Sequence, residues 1–430
     1  MKRLTINRRK FIRQSAFGSA ASFLGAGMIR PAHARILGAN DRINLGIIGV
    51  GGRGGAILGE LLTLAKDPKF NIAVVAVCDV YERRLQAAAQ RCKGKAYRDH
   101  KELLAHPDLD AVAIATPDHW HARQSMDAMK AGKDVYCEKP MTLYWEEAKE
   151  VARVARETKR ITQIGVQSAS DPRNWKAHEI IAAGGIGKLI WSQTGSARNV
   201  KTGDWNWPID KNAGPDGAGL DRVDWKTWLG SAPDHPWSSE RFFRFRKFWD
   251  YSGGQATDLL YHALGHHQVA LGFEFPKRVV AAGGNYVFDL ANDNREVPDT
   301  FFTTIDYPTN HSVVLAASQV TQARFPETIR GQKATITYSA EREAEKRTML
   351  IAPEESFQDE VKAQTLAFEA EPRDYYPHVR NFLDCVRSRN ECNLNARDGY
   401  RVMVAIALSV KAYRENKVML FDPEKETAIG

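Results

Sequence analysis

At 430 residues the chain is too long for one typical core, and two domains are predicted. Its composition, 43% apolar and 26% charged, fits a globular protein, and the absence of any run of eighteen or more apolar residues argues against a membrane-spanning helix. The formal charge of +8 sits almost wholly in residues 1–34, which hold seven basic groups (Lys2, Arg3, Arg8, Arg9, Lys10, Arg13, Arg30) and no acidic ones. The remainder carries 53 basic against 52 acidic groups, so nothing calls for nucleic acid or an anionic membrane as partner.

The chain opens on Asn7-Arg8-Arg9-Lys10-Phe11-Ile12-Arg13, followed by a weakly apolar stretch, Ser15 to Ile29, and by Pro31-Ala32-His33-Ala34. A basic flank, a moderate apolar run and small residues at the two positions a signal peptidase reads predict a signal peptide over residues 1–34, cleaved after Ala34. The twin arginine resembles signals of the Tat route, which exports folded proteins, so a periplasmic location is expected.

From Arg42 to about Gln167, apolar strand-like runs alternate with amphipathic ones. Strands are predicted at Ile43–Val50, Ile72–Cys78, Ala111–Thr116, Asp134–Cys137 and Ile161–Gln167. Helices are predicted at Ala56–Ala65, Glu82–Cys92, His119–Ala131 and Trp145–Thr158. This is the pattern of a doubly wound α/β domain with a parallel sheet, assigned to residues 35–167. Long loops rich in Gly, Pro, Asp and Trp follow, from about Asn199 to Ser239. Beyond them come a helix over Thr257–Leu271, strands at Arg278–Ala282, Thr300–Tyr307, Ser312–Ser318 and Ala334–Ser339, and helices at Tyr376–Arg389 and Ala396–Glu415. Strands without regularly interposed helices predict an α+β domain over residues 168–430, with a large, mostly antiparallel open-faced sheet. The five cysteines show no Cys-x-x-Cys spacing. Cys78 and Cys137 are expected as buried thiols, and Cys385 and Cys392 can pair if geometry permits.

The first strand runs into Gly49-Val50-Gly51-Gly52-Arg53-Gly54, a G-x-G-x-x-G match set between a strand and a helix. Glycines there serve a tight turn, close approach to a pyrophosphate and helix–strand packing, with a helix opening at Gly54. The second strand ends at Asp79, whose carboxylate suits ribose hydroxyls and opposes a 2′-phosphate. NAD is therefore favoured over NADP, although Arg83 and Arg84 stand nearby.

Two further runs, Thr116-Pro117-Asp118-His119-Trp120-His121 and Gly132-Lys133-Asp134-Val135-Tyr136-Cys137-Glu138-Lys139-Pro140, closely resemble signatures of the Gfo/Idh/MocA oxidoreductase family. The resemblance extends over essentially all of the chain after the signal, more loosely beyond Gln167. It implies that Lys139 is the active-site lysine beside the nicotinamide, and that Thr116, Pro117, His121, Glu138 and Gln167 join Gly49, Gly51, Gly52, Arg53, Gly54 and Asp79 around the cofactor. Ser252 to His262 resembles the family's Gly-Gly-x-x-x-Asp-x-Gly-x-His element, with Leu260 in place of a glycine and Gly265 where an Asp is common. Asp258 and His262 are thereby implied as catalytic partners of Lys139, four apart on one helix face, with His262 shuttling the proton. The spacing of His262, His266 and His267 also admits a metal reading, which the family does not require. Trp205, Trp207, Trp237, Arg244, Arg246, Trp249 and Tyr251 crowd the loop region, suited to sugar faces, hydroxyls or carboxylates.

The resemblance implies an enzyme moving a hydride between a sugar or polyol hydroxyl and NAD, assembled as a homo-oligomer, and the export signal adds that the NAD is tightly held. Free dinucleotide is scarce outside the cytoplasm, which is why retention is expected. The alternatives are redox-neutral glycoside cleavage through transient oxidation, and a non-catalytic dinucleotide- or sugar-binding protein on the same fold.

Overall fold

A computed structural model describes residues 41–339, 346–369 and 376–429 of the protein. The expected signal segment and its cleavage site lie outside the described residues. Six strands, β1 (Ile43–Ile48), β2 (Ile72–Cys78), β3 (Lys95–Tyr97), β4 (Ala111–Ile114), β5 (Asp134–Glu138) and β6 (Thr162–Gly165), form a parallel sheet in the order β3-β2-β1-β4-β5-β6. Every residue of β1, β4, β5 and β6 is buried, as expected of strands covered on both faces. Helices α1 (Gly52–Leu64), α2 (Glu82–Cys92), α3 (His100–Leu104), α4 (Asp118–Lys130) and α5 (Trp145–Thr158) alternate with them. The strand order reverses between β1 and β4, and a crevice opens beyond the carboxyl ends of these two strands. β3 and α3 are too short to leave a periodic signal in the sequence. Helix α1 begins at Gly52, ahead of the predicted Ala56, because the glycine loop itself forms its first turn.

After α6 (Pro172–Ala182) comes a second sheet built from β7 (Leu189–Asn199), β8 (Arg278–Gly284), β9 (Thr300–Asp306), β10 (Ser312–Ser318), β11 (Val320–Thr321), β12 (Thr328–Gly331), β13 (Ala334–Tyr338), β14 (Lys346–Pro353), β15 (Gln364–Glu369), β16 (Met419–Asp422) and β17 (Thr427–Ile429). Its order is β15-β14-β13-β12-β7-β10-β9-β8-β16-β17, with β11 paired to β7. All pairs are antiparallel except β7 with β10. The intervening helices are α7 (Trp225–Leu229), α8 (Ser239–Phe243), α9 (Tyr261–Leu271), α10 (Leu290–Asp293), α11 (Tyr376–Ser388) and α12 (Ala396–Glu415).

Alternating burial along β9 and β13 turns one face of this sheet to the core. Trp191, Val280, Phe302, Leu350 and Leu420 remain exposed. The largest hydrophobic core joins Ile48 and Val112 of the first sheet to Leu264 of α9, Val313 and Ile329 of the second sheet, and Val402 to Leu408 of α12. A second core packs Val379, Phe382, Leu383 and Val386 of α11 against Ile43, Ile47 and Leu58. The C-terminal helices thus fold back onto the first sheet. All five cysteines are free thiols, with Cys385 and Cys392 both buried in or beside that second core.

Candidate active site

The glycine loop has the geometry its spacing predicts. Gly49 has φ +82°, and a Cβ at Gly54 would lie 1.8 Å from the Gly49 carbonyl oxygen, so helix α1 presses on the loop as only glycine allows. At Gly52, by contrast, an added Cβ would meet nothing. The N-terminus of α1 has no side-chain cap and no acidic residue in its first turn. Its leading N–H groups and the positive end of the helix dipole are therefore uncompensated beside open space, which fits a diphosphate.

Asp79 directly follows β2, and its two carboxylate oxygens accept from the Val50 and Tyr81 backbone N–H groups at 2.8 and 2.9 Å. Burial raises its pKa against the pull of Arg84. The Arg84 guanidinium lies 5.3–5.5 Å from the ring centroids of Tyr81, Phe242 and Phe243.

From this loop a cleft of about 590 Å³ runs to Lys139 and His262. The segment between Trp205 and Tyr251 straps across it. At the β2 end, Tyr81 pairs with Val223, Asp224 donates its N–H to the Val80 carbonyl, and the Tyr81 hydroxyl donates to Asp210 at 2.6 Å. Arg83 adds ion pairs to Asp210 and Asp221. At the α4 end, Trp120 donates to the Trp228 carbonyl at 2.7 Å, and a His119 ring nitrogen lies 3.0 Å from the same oxygen. A third core of Tyr81, Val223, Trp225, Trp228, Phe242, Phe248 and Tyr251 holds the strap down.

At the other end of the cleft, the Lys139 ammonium bonds the Asp258 carboxylate at 2.5 Å and its backbone carbonyl at 2.7 Å. Asp258 also accepts from Arg246 Nε at 2.8 Å and from the Trp205 indole N–H at 3.0 Å. Burial alone would raise the Asp258 carboxyl, but the Lys139 and Arg246 cations hold it well below the usual carboxylate range. With both oxygens taken, Asp258 lies one layer behind the cleft lining, in a π-helical turn, Ala256–Leu260, that continues into α9. Asp258 and His262, expected as catalytic partners of Lys139 on one helix face, are thus placed differently, one behind the cleft lining and the other in it. Lys139 and His262 line the cleft, and Asp258 positions Lys139. Burial, followed by the Lys139 charge, pushes the His262 imidazole well below its ordinary pKa, so this histidine is neutral.

Of the expected cofactor residues, Gly49, Gly51, Gly52, Arg53, Asp79, Thr116, Pro117, Glu138 and Gln167 line the cleft. Arg53 turns its guanidinium to Glu138 and Glu60, at 2.7 and 3.0 Å, and Gln167 donates to Glu138 at 3.2 Å. Gly54 serves packing instead.

His121 is also out of the lining. Its ring nitrogens meet the Pro140 carbonyl at 2.6 Å and the Thr116 carbonyl at 2.8 Å. Two acceptors require two N–H donors, hence an imidazolium tying the two motif loops together. Although burial opposes the charge, Cys137, Asp118 and the Pro140 carbonyl push its pKa up to about 9. A folded pKa above the unfolded value near 6.5 gives stability that is complete below pH 6.5 and lost as pH rises through about 9. Thermal unfolding followed from pH 6 to pH 10 is accordingly expected to show a falling midpoint in that window. The slope should flatten in His121→Gln; an unchanged slope would rule out the imidazolium.

His262, His266 and His267 do not converge. His266 bonds the His262 carbonyl and Glu327, at 2.7 and 2.9 Å, and His267 also faces Glu327. No group of three or more metal-ligating side chains gathers among the described residues.

Within the aromatic and basic crowd, Trp207 and Arg246 line the cleft and Trp205 anchors Asp258. Trp237 and Tyr251 pack in or against the strap core, Arg244 pairs with Glu240, and Trp249 lies tilted against Tyr413. Sequence reasoning gave no role to Trp120 or Asp118, which line the cleft together with Arg84. Trp120 and Asp118 sit inside the quoted signature, and that was the available signal.

A doubly wound sheet with an anion-ready glycine loop, continued into a cleft that ends on a lysine and a neutral histidine, defines a dinucleotide-dependent oxidoreductase architecture. Residues 43–166 match the NAD-binding Rossmann-fold model of the Gfo/Idh/MocA oxidoreductase family, and residues 231–420 match the model of its C-terminal alpha/beta domain. Together the two matches cover well over half of the protein, and the chain belongs to this family.

Inositol 2-dehydrogenase of Rubrobacter xylanophilus is 28% identical over 173 residues, 39% of this chain and 49% of that protein. The scyllo-inositol 2-dehydrogenase (NAD(+)) of Bacillus subtilis is 32% identical over 151 residues, 35% and 43% of the two chains. D-xylose 1-dehydrogenase (NADP(+)) of Hypocrea jecorina is 34% identical over 130 residues, 29% and 33%. The matched segments thus span less than half the length of these relatives. An NAD binding oxidoreductase from Klebsiella pneumoniae shares the fold with TM-score 0.67 at 21% identity, covering 88% of this chain and 98% of that one. Levoglucosan dehydrogenase in complex with NADH superposes with TM-score 0.67 at 18% identity and the same coverage.

Proposed function

We propose that the protein transfers a hydride between a secondary hydroxyl of a sugar or polyol and NAD(H), holds the dinucleotide as a resident group, and works in the periplasm after Tat export. The observation that carries this reading is the cleft itself, with a glycine loop and Asp79 at one end and Lys139 with His262 at the other. The relatives named for inositol and xylose oxidation support the substrate class; no relative cited above is named for glycoside cleavage. Gly49, Gly51 and Gly52 with the α1 N-terminus would hold the diphosphate, Asp79 the adenosine ribose, and Glu138, Gln167 and Thr116 the far half of the dinucleotide. When bound, the nicotinamide supplies hydride acceptance.

The chain's own residues handle the proton. Lys139, fixed by Asp258, donates a hydrogen bond to the reacting hydroxyl oxygen and stabilises the charge that develops there. His262, kept neutral, accepts the hydroxyl proton. The aromatic face of Trp207 suits the apolar face of a sugar ring. The exposed apolar side chains of the second sheet, Trp191, Phe302 and Leu350 among them, support homo-oligomer assembly through that face.

Retention of the dinucleotide is supported by the strap, because opening the cleft means breaking the core around Trp228 and Phe242. Denaturing the purified protein is expected to release about one NAD(H) per chain, and a sugar and polyol screen should then find a substrate that reduces the bound NAD. Protein without dinucleotide, and inert when NAD is added, would sink the reading. Cutting the polar pins with Arg83→Ala and Tyr81→Phe together is expected to speed dinucleotide release by about tenfold, a loss of roughly 1.4 kcal/mol. Dialysis against unlabelled NAD measures this, and a wild type that exchanges as fast as the variant would remove the strap's role.

A further inference from the structure

At the substrate end of the cleft one cation keeps hydrogen-bond donors that no carboxylate takes up. Glu138 is paired with Arg53 at 2.7 Å, and Asp118 has the His121 imidazolium beside it. Asp258 bonds both Lys139 and Arg246, at 2.5 and 2.8 Å, and Asp118 and Glu138 attract Arg246 from further off. Arg246 uses only Nε for that bond. Its Nη1 and Nη2 groups have no protein partner among the described residues, and the side chain lines the cleft. The guanidinium is also held in place, with the Phe245 and Trp207 ring centroids 4.6 and 5.2 Å away. An immobilised, planar, always-charged fork with its outer edge unclaimed, beside a half-exposed tryptophan face, is a carboxylate receptor adjoining a sugar platform.

We infer that the substrate is a carboxylate-bearing sugar, a uronate or similar sugar acid, whose carboxylate is taken end-on by Nη1 and Nη2 of Arg246 while Trp207 covers the ring. A neutral polyol would meet the two charged Nη donors with hydroxyls alone, where a carboxylate matches both the fork and its charge. The inference rests on the oxidoreductase reading for the identity of the pocket. It adds which member of the sugar class the pocket selects, and makes Arg246 the specificity-determining residue.

The test compares matched pairs on the purified full chain with its dinucleotide: glucose with glucuronate, galactose with galacturonate, and glucose 6-phosphate as the arm for a different anion. The expected result is a kcat/KM at least tenfold higher for a uronate than for its neutral partner or the phosphate. Arg246→Met should abolish most of that preference, and Arg246→Lys should restore only part of it. Because Arg246 also touches Asp258, the ratio between substrates is the readout, not the absolute rate. A neutral sugar preferred over its acid, or a preference untouched in Arg246→Met, overturns the inference and leaves the oxidoreductase reading standing; a preference for the phosphate overturns the carboxylate assignment. If no sugar is oxidised, the thermal shift of the NADH-loaded protein decides. Stabilisation by uronate that disappears in Arg246→Met upholds the carboxylate site while the activity reading fails, and no stabilisation overturns the site as well.

Discussion

Replacing Lys139 by methionine is expected to lower the rate of hydride transfer by about 10²–10⁴-fold while leaving the dinucleotide bound. The size follows from what the ammonium does. It lines the cleft, is locked by two bonds to Asp258, through carboxylate and carbonyl, and in the proposed reaction meets the hydroxyl that loses its proton. Methionine keeps the length and much of the packing but removes the donor. Arg246 and Trp205 still hold Asp258, so the carboxylate is not orphaned and the fold should persist. The measurement is single-turnover reduction of bound NAD, alongside quantitation of the dinucleotide released on denaturation. A rate within a factor of a few of the wild type would show that Lys139 is structural.

The largest effect on stability is expected at Asp258. Truncation to alanine leaves Lys139 and Arg246 close together without their shared counter-charge and strips the Trp205 indole of its acceptor. Breaking a buried pair from one side costs about 3–5 kcal/mol, because the remaining charge stays where water cannot solvate it. Asp258→Asn keeps the shape and an acceptor and should cost less.

The pH dependence separates the ion pair from mere loss of packing. The folded pKa of Asp258 lies below its unfolded value, so its contribution is fully present above the ordinary carboxylate range and is lost only as pH falls below it. The stability difference between wild type and Asp258→Ala, from urea unfolding, should therefore be flat from neutral pH down to about pH 5 and shrink under more acid conditions. A difference that does not shrink in acid would mean that volume, rather than charge, is what Asp258 supplies.

These expectations rest on features of unequal legibility. β2, α2 and α5 occupy the residues their periodicity predicts, since an apolar run between amphipathic ones has one low-energy arrangement, a covered parallel sheet. β7 left no such trace. Its sequence, Leu-Ile-Trp-Ser-Gln-Thr-Gly-Ser-Ala-Arg-Asn, lacks a period of two, and it becomes a central strand because β10 and β12 satisfy its backbone from either side. The stretch after Asn199 reads as long loops whose aromatic and basic residues suit a sugar, with no sign of how they pack. It is in fact the strap over the cleft, built from tryptophan and phenylalanine contacts between residues far apart in sequence.

The sequence by itself determined the doubly wound sheet, the glycine loop with Asp79 beyond it, and the motifs that carry Lys139 and His262 into the cleft. Each of these depends on local spacing, on a turn that only glycine makes, or on a signature held within a few consecutive residues. Tertiary structure alone decided that the Asp258 oxygens are taken by Lys139, Arg246 and Trp205, that the His121 ring nitrogens meet two carbonyls, and that Arg246 joins the cleft lining. Those outcomes depend on which donors reach a given oxygen first. Trp205, Arg246 and Lys139 come from three separate stretches of chain, and only the packed fold sets the competition among them for one carboxylate.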